Sequence, residues 1–172
     1  MKKIILLFLT ATTLFACQTN EVKTETAASA SGSITTTGPD VDMLKKGTTA
    51  FANGDWATVA SNYADTAKSY HNIWPSNLDT TLGVKIPVII EVFKKQREFI
   101  DGNLTIGGTI YEVVTMPDGN KYGHSWVEMS WKSKKGVAGK VVVFNSFGIN
   151  KDGKITYEWP IYDTKDVATL GK

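Results

Sequence analysis

Beyond Gly102 the spacing of apolar residues in this chain changes from a mainly helical repeat to alternation and stays there, so the fold must combine helices with a sheet. Before that point Val41, Leu44, Thr48 and Phe51 recur at helical spacing behind Pro39 and Asp40, and Asn53-Gly54 is a helix stop. Asp55 suits the N-cap of a second helix, in which Trp56, Val59, Ala60 and Tyr63 fall on one side. Residues 67–73 then read as an extended segment, with a loop through Trp74-Pro75-Ser76-Asn77. Pro87 opens a third helix with Ile89, Val92, Phe93, Gln96 and Ile100 on one face, while Lys94, Lys95, Arg97 and Glu98 face water. After Gly102, candidate strands cover 104–115, 124–132, 140–149 and 155–162. They are separated by Pro117-Asp118-Gly119-Asn120, Lys134-Lys135-Gly136 and Lys151-Asp152-Gly153. The order predicts an α+β fold in which three N-terminal helices pack on one face of a curved, mostly antiparallel sheet.

The first residues carry a different message. Lys2 and Lys3 precede an apolar run from Ile4 to Phe15, too short to cross a bilayer as a mature helix, and Ala16 precedes the sole cysteine, Cys17. Leu14-Phe15-Ala16-Cys17 resembles the bacterial lipobox, in which the cysteine is lipidated and becomes the mature N-terminus; Phe15 departs from the small residue usual there. This reading makes residues 1–16 a signal peptide and 17–38 a flexible tether of Thr, Ser, Ala, Gly and Glu. The domain is then 39–172, and several acyl chains on Cys17 anchor it durably to a membrane. Gln18 after the cysteine favours the outer membrane, on its periplasmic or surface side.

Cleavage would remove two lysines and no acid, so 19 basic and 17 acidic side chains become 17 of each. A balanced chain lacks the positive footprint of a phosphate-backbone binder, so nucleic acid is not an expected partner. With Cys17 committed to lipid, no thiol remains for a disulfide or a thiolate metal site. His71 and His124 lie far apart with no accompanying carboxylate motif, so no metal is expected, and no cofactor motif is present.

Ala50-Phe51-Ala52-Asn53-Gly54-Asp55-Trp56, Tyr63-Ala64-Asp65, Asp152-Gly153-Lys154-Ile155 and the closing Ile161-Tyr162-Asp163 are met in the order in which the NTF2-like superfamily carries similar segments. From about Asp40 to Asp163 the chain resembles that superfamily, close to its SnoaL-like branch. The resemblance implies a cone, in which a curved sheet wraps a long helix and leaves a pocket at the wide end. It implies no single activity, because the fold serves isomerases, cyclases, dehydratases and hydrolases as well as domains without known chemistry.

Strand parity nominates the side chains that would reach such a pocket. His71 alternates with Lys68 and falls with Ala67 and Ser69 on the inward side. Counting from Ile155 places Tyr157, Trp159, Ile161 and Asp163 inward. Glu112 shares a face with Leu104, Ile106 and Ile110, where a carboxylate must be paired, at a rim or functional. Asn145 falls in line with Val141, Val143 and Phe147. The candidate pocket is therefore Trp56, Tyr63, His71, Glu112, Trp126, Asn145, Tyr157, Trp159 and Asp163, with His124 exposed beside a turn. Structural roles compete at every position: a bonded histidine, a cross-strand partner of a lysine for Glu112, a turn-forming aspartate, core aromatics.

Three functions stay open. The first is a tethered domain that binds a small hydrophobic or cyclic molecule. The second is an enzyme of the SnoaL or ketosteroid-isomerase type, with His71 or Asp163 as base and Tyr63 or Tyr157 as donor. Against it, residues 67–73 hold no aspartate and the sole arginine, Arg97, reads as exposed. The third is a scaffold that uses Trp131, Phe144 and Tyr162 on the outer sheet face to form a homodimer or dock a partner.

Overall fold

The first long helix, α1 (Pro39–Asn53), starts where the sequence says it must, with proline in its first turn and Asp40 and Asp42 beside the positive end of its dipole. It stops at Gly54, whose left-handed backbone (φ 73°) lets its N–H reach back to the last carbonyls. The structure is a computed structural model that describes residues 32–71 and 82–167. The leader, Cys17, the tether to residue 31, Ile73 and the Trp74-Pro75-Ser76-Asn77 loop lie outside the described residues.

Asp55 caps α2 (Trp56–Ser61), its Oδ1 accepting from the Thr58 N–H at 3.1 Å. This helix is shorter than its apolar spacing suggests. Tyr63, expected on its fourth position, instead opens β2 (Tyr63–Ser69), because Asn62 ends the helix and its carbonyl accepts from the Ile155 N–H. Helix α3 (Ile86–Arg97) follows β3 (Val84–Lys85) and buries Ile86 and Ile90, leaving Val92 exposed.

Among the described residues seven strands make one sheet. Its remaining members are β1 (Ser33–Thr35), β4 (Thr105–Thr115), β5 (Lys121–Lys132), β6 (Ala138–Ile149) and β7 (Ile155–Tyr162), in the order β1-β4-β5-β6-β7-β2-β3. All neighbours are antiparallel except β2 and β7. The sheet is curved, and the helices fill its concave side. Strand β1 corrects the tether boundary: Ser33–Thr35, read as flexible, pairs with β4 through Ile34 opposite Val114. Both outermost strands are very short: β1 covers only Val113, Val114 and Thr115 of β4, and β3 only Lys68 and Ser69 of β2.

Two bulges decide which side chains face the helices. In β4, Ile106 pairs with Met129 but Thr109 with Val127, so the Gly107-Gly108 step contains one residue too many. Ile106 packs against the core before it, and Tyr111 and Val113 do so after it. In β7, Ile155 pairs with Ile149 but Tyr157 with Gly148, which makes Thr156 the extra residue; its hydroxyl donates to the Gly148 carbonyl at 3.2 Å. Beyond Thr156 the buried positions are Glu158 and Pro160.

Two apolar clusters result. One joins Val41 and Leu44 of α1 to Val127, Met129, Trp131 and Phe147 of the sheet. The other joins Ala50, Val59 and Ala67 to Ile86 and Ile90 of α3. Between these clusters the packing is left open.

Candidate ligand pocket

Leu44 and Phe51 of α1, Ile90 and Phe93 of α3, and Trp131 and Val143 of the sheet face a cavity of about 190 Å³, which draws its walls from both clusters. Trp131 can lie across the sheet only because its cross-strand partner is Gly139, where any Cβ would overlap the indole. Each wall side chain therefore has a local cause: the α1 and α3 stripes, and the inward parity of β5 and β6.

Polar groups enter this apolar space chiefly from β2, β6 and β7. Tyr63, His71, Asn145, Glu158 and Tyr162 all line the cavity. Glu158 is only 9% exposed, an unusual place for a carboxylate. The Tyr63 hydroxyl donates to Glu158 Oε2. Burial, then the neighbouring negative charge and that bond, push the Tyr63 hydroxyl pKa well above its ordinary value, so Tyr63 is a neutral donor. Tyr162 is raised in the same direction, first by burial and then by Glu158. His71 is lowered by burial, which Glu158 opposes, and its Nδ1 lies 2.7 Å from Ser69 Oγ. Ring contacts link these side chains, edge-on between Phe93 and Phe51 (4.9 Å) and between His71 and Tyr162 (6.1 Å), and tilted between Phe93 and His71 (5.6 Å).

Of the residues nominated from the sequence, Tyr63, His71 and Asn145 reach this cavity, and Asn145 also donates to Ser125 Oγ at 3.4 Å. Trp56 does not line it but packs edge-on against Phe51, 5.6 Å away. Glu112 belongs to the outer face, because the bulge at Gly107-Gly108 reverses the parity that tied it to Ile106; there it stands opposite His124, with Oε1 3.1 Å from Nδ1. His124 is accordingly half-buried instead of exposed, and Trp126 lies beside it on the same outer face. The Thr156 bulge turns Tyr157 and Trp159 outward as well, with the Tyr157 ring over Gly148. Asp163 lies past the strand, exposed, and its Oδ1 accepts from the Lys165 N–H at 2.9 Å, the turn-forming role.

The outer-face set is corrected in turn. Trp131 and Tyr162 line the cavity, and only Phe144 of the three points away from it. Arg97 is half-buried at the cavity wall with Nη2 donating to Asn103 Oδ1 at 2.9 Å, not free in water. Glu158 was missed because Ile155, Tyr157, Trp159 and Ile161 form the more apolar parity of that strand, and nothing local marks Thr156 as an extra residue.

No family model and no curated protein matches the chain. Solved structures do. IdmH of Streptomyces antibioticus, named as a candidate polyketide cyclase, shares 17% identity at a TM-score of 0.53, over 78% of this chain and 100% of its own. An NTF2-like protein of Burkholderia xenovorans shares 12% identity at a TM-score of 0.52, over 77% and 95%. The fold is NTF2-like. A candidate SnoaL-like polyketide cyclase of Shewanella denitrificans, 8% identical with a TM-score of 0.51 over 76% and 95%, has the same NTF2-like architecture. At such identities the likeness fixes the cone and leaves the contents of its pocket to the residues above.

Proposed function

We propose that this protein is a binding domain for a small, mostly apolar, ring-bearing molecule, held at the cell envelope by lipid on Cys17. The observation that carries the binding reading is the cavity of about 190 Å³, walled by aliphatic and aromatic side chains and provided with a few polar groups. A void of about 150 Å³ already admits benzene, so this one suits a single ring with a short arm. Native mass spectrometry of protein purified from its own host tests the reading: a retained molecule of that class supports it. Failure to retain any such molecule, together with no saturable uptake of small aromatic probes, removes it. The anchor rests on the order Lys2-Lys3, apolar run, Leu14-Phe15-Ala16-Cys17. Mass spectrometry of membrane-extracted protein should find an acylated N-terminal Cys17, absent after Cys17→Ser.

One observation favours acid–base chemistry as the second reading. Glu158, a neutral Tyr63 donor and a neutral His71 meet on one cavity wall. A carboxylate or imidazole next to a hydroxyl donor is the equipment for moving a proton beside a carbonyl and holding the resulting oxyanion. In this reading Glu158 or His71 is the base and Tyr63 the donor; Asp163 has no part, since it lies outside the cavity. Loss of turnover in Glu158→Gln with ligand binding retained would favour the enzyme over the binder.

Self-association belongs to the same proposal. Ile110, Trp126, Phe144 and Ile161 are paired side by side across four strands on the outer face. The row is flanked by Glu112, which contacts His124, and by the Glu128–Lys140 ion pair, so the polar groups beside it already have partners within the chain.

A further inference from the structure

Building on the binding reading, we propose that the ligand is an organic amine in its protonated form, its ring held by the aromatic walls and its ammonium by Glu158. The carboxylate is the starting point. It lines the cavity at 9% exposure, and one oxygen accepts from Tyr63. Among the described residues its other oxygen accepts no hydrogen bond, and no lysine, arginine or histidine pairs with it within 4 Å. A buried negative charge held by one neutral donor is costly until a cation arrives, and a protonated amine supplies both the charge and the missing N–H.

The surroundings select for the same ligand. Tyr63, His71 and Tyr162 flank the carboxylate, and Phe93 and Phe51 continue the ring series into the cavity. Aromatic faces attract ammonium groups, and their area suits a ring. His71 does not supply the cation itself, since burial disfavours its charged form and Ser69 engages its Nδ1. Among the described residues Arg97 is the one fixed positive charge on the wall, and it is held at Gly54 and Asn103. Its Nη2 approaches the α1 terminus at Gly54 and donates to Asn103, while Nη1 is covered and has no hydrogen-bond partner among the described residues. An anionic ligand in the place of the amine would set its charge against the Glu158 carboxylate.

Titration calorimetry on the Cys17→Ser chain with 2-phenylethylamine, 2-phenylethanol and ethylbenzene tests the assignment, since the three probes differ little except in their head group. The amine should bind roughly ten-fold or more tightly than the alcohol, and Glu158→Gln should erase that advantage while the alcohol still binds. Equal affinities for amine and alcohol in the unaltered pocket would overturn the amine and leave the apolar binding site standing. Binding of none of the three would overturn both. The comparison in the unaltered pocket decides the matter even if Glu158→Gln does not fold.

Discussion

Tyr63 and Glu158 hold the pocket's polar wall together, and removing one partner tests how much of the fold depends on it. In Tyr63→Phe the carboxylate keeps its burial and loses its only protein donor among the described residues, so unfolding should become easier by about 1–3 kcal/mol. Urea denaturation measures this; a change within a few tenths of a kcal/mol would mean that water or a relaxed rotamer replaces the tyrosine. His71 provides a pH signature at the same scale. Its folded pKa lies below the ordinary histidine value, so the unfolded chain takes up a proton first as pH falls. The contribution of neutral His71 is complete above the unfolded value of about 6.5 and declines as pH drops through it toward the lower folded value. Denaturation midpoints compared at about pH 8 and about pH 5.5 should fall less in His71→Gln than in the natural chain, whereas parallel decreases would place the titration elsewhere.

The secondary structure elements are largely legible in the sequence, and the faces of two of them are not. Pro39, Gly54, Asp55 and Pro87 announce helix ends by local chemistry, and the hairpin turns do the same for the strands. Alternation counts Glu112, Tyr157 and Trp159 inward, and the structure turns them outward and brings Glu158 in, because one additional residue in β4 or β7 reverses every side chain beyond it. Alternation hides such a step in β7, where Tyr157, Trp159 and Ile161 continue the more apolar parity of Ile155 although they face outward beyond Thr156. The glycine pairing is easier to test. Gly139→Ala drives a methyl into the indole of Trp131, which must leave its place at the cavity wall, at a cost of about 1–3 kcal/mol. Tryptophan fluorescence should shift along with the unfolding midpoint; an unchanged spectrum and midpoint would contradict the close packing of that pair.

For the whole molecule, the outer apolar row makes a prediction about mass. Sedimentation should find a dimer that Phe144→Asp converts to a monomer, since the charge would then lie in the middle of the row. A monomer at all concentrations would remove self-association from the account. The sequence by itself determined the class of the fold: apolar period and capping chemistry act over a few residues, and they suffice to order helices before a sheet. It also carried the leader pattern and Cys17, which are local in the same sense. What surrounds the cavity was decided only in three dimensions. Glu158, Tyr63 and His71 are brought together by the parallel pairing of β2 with β7 and by the bulge at Thr156. Such pairing depends on the fit of distant segments, for which neighbouring residues in the chain hold no record.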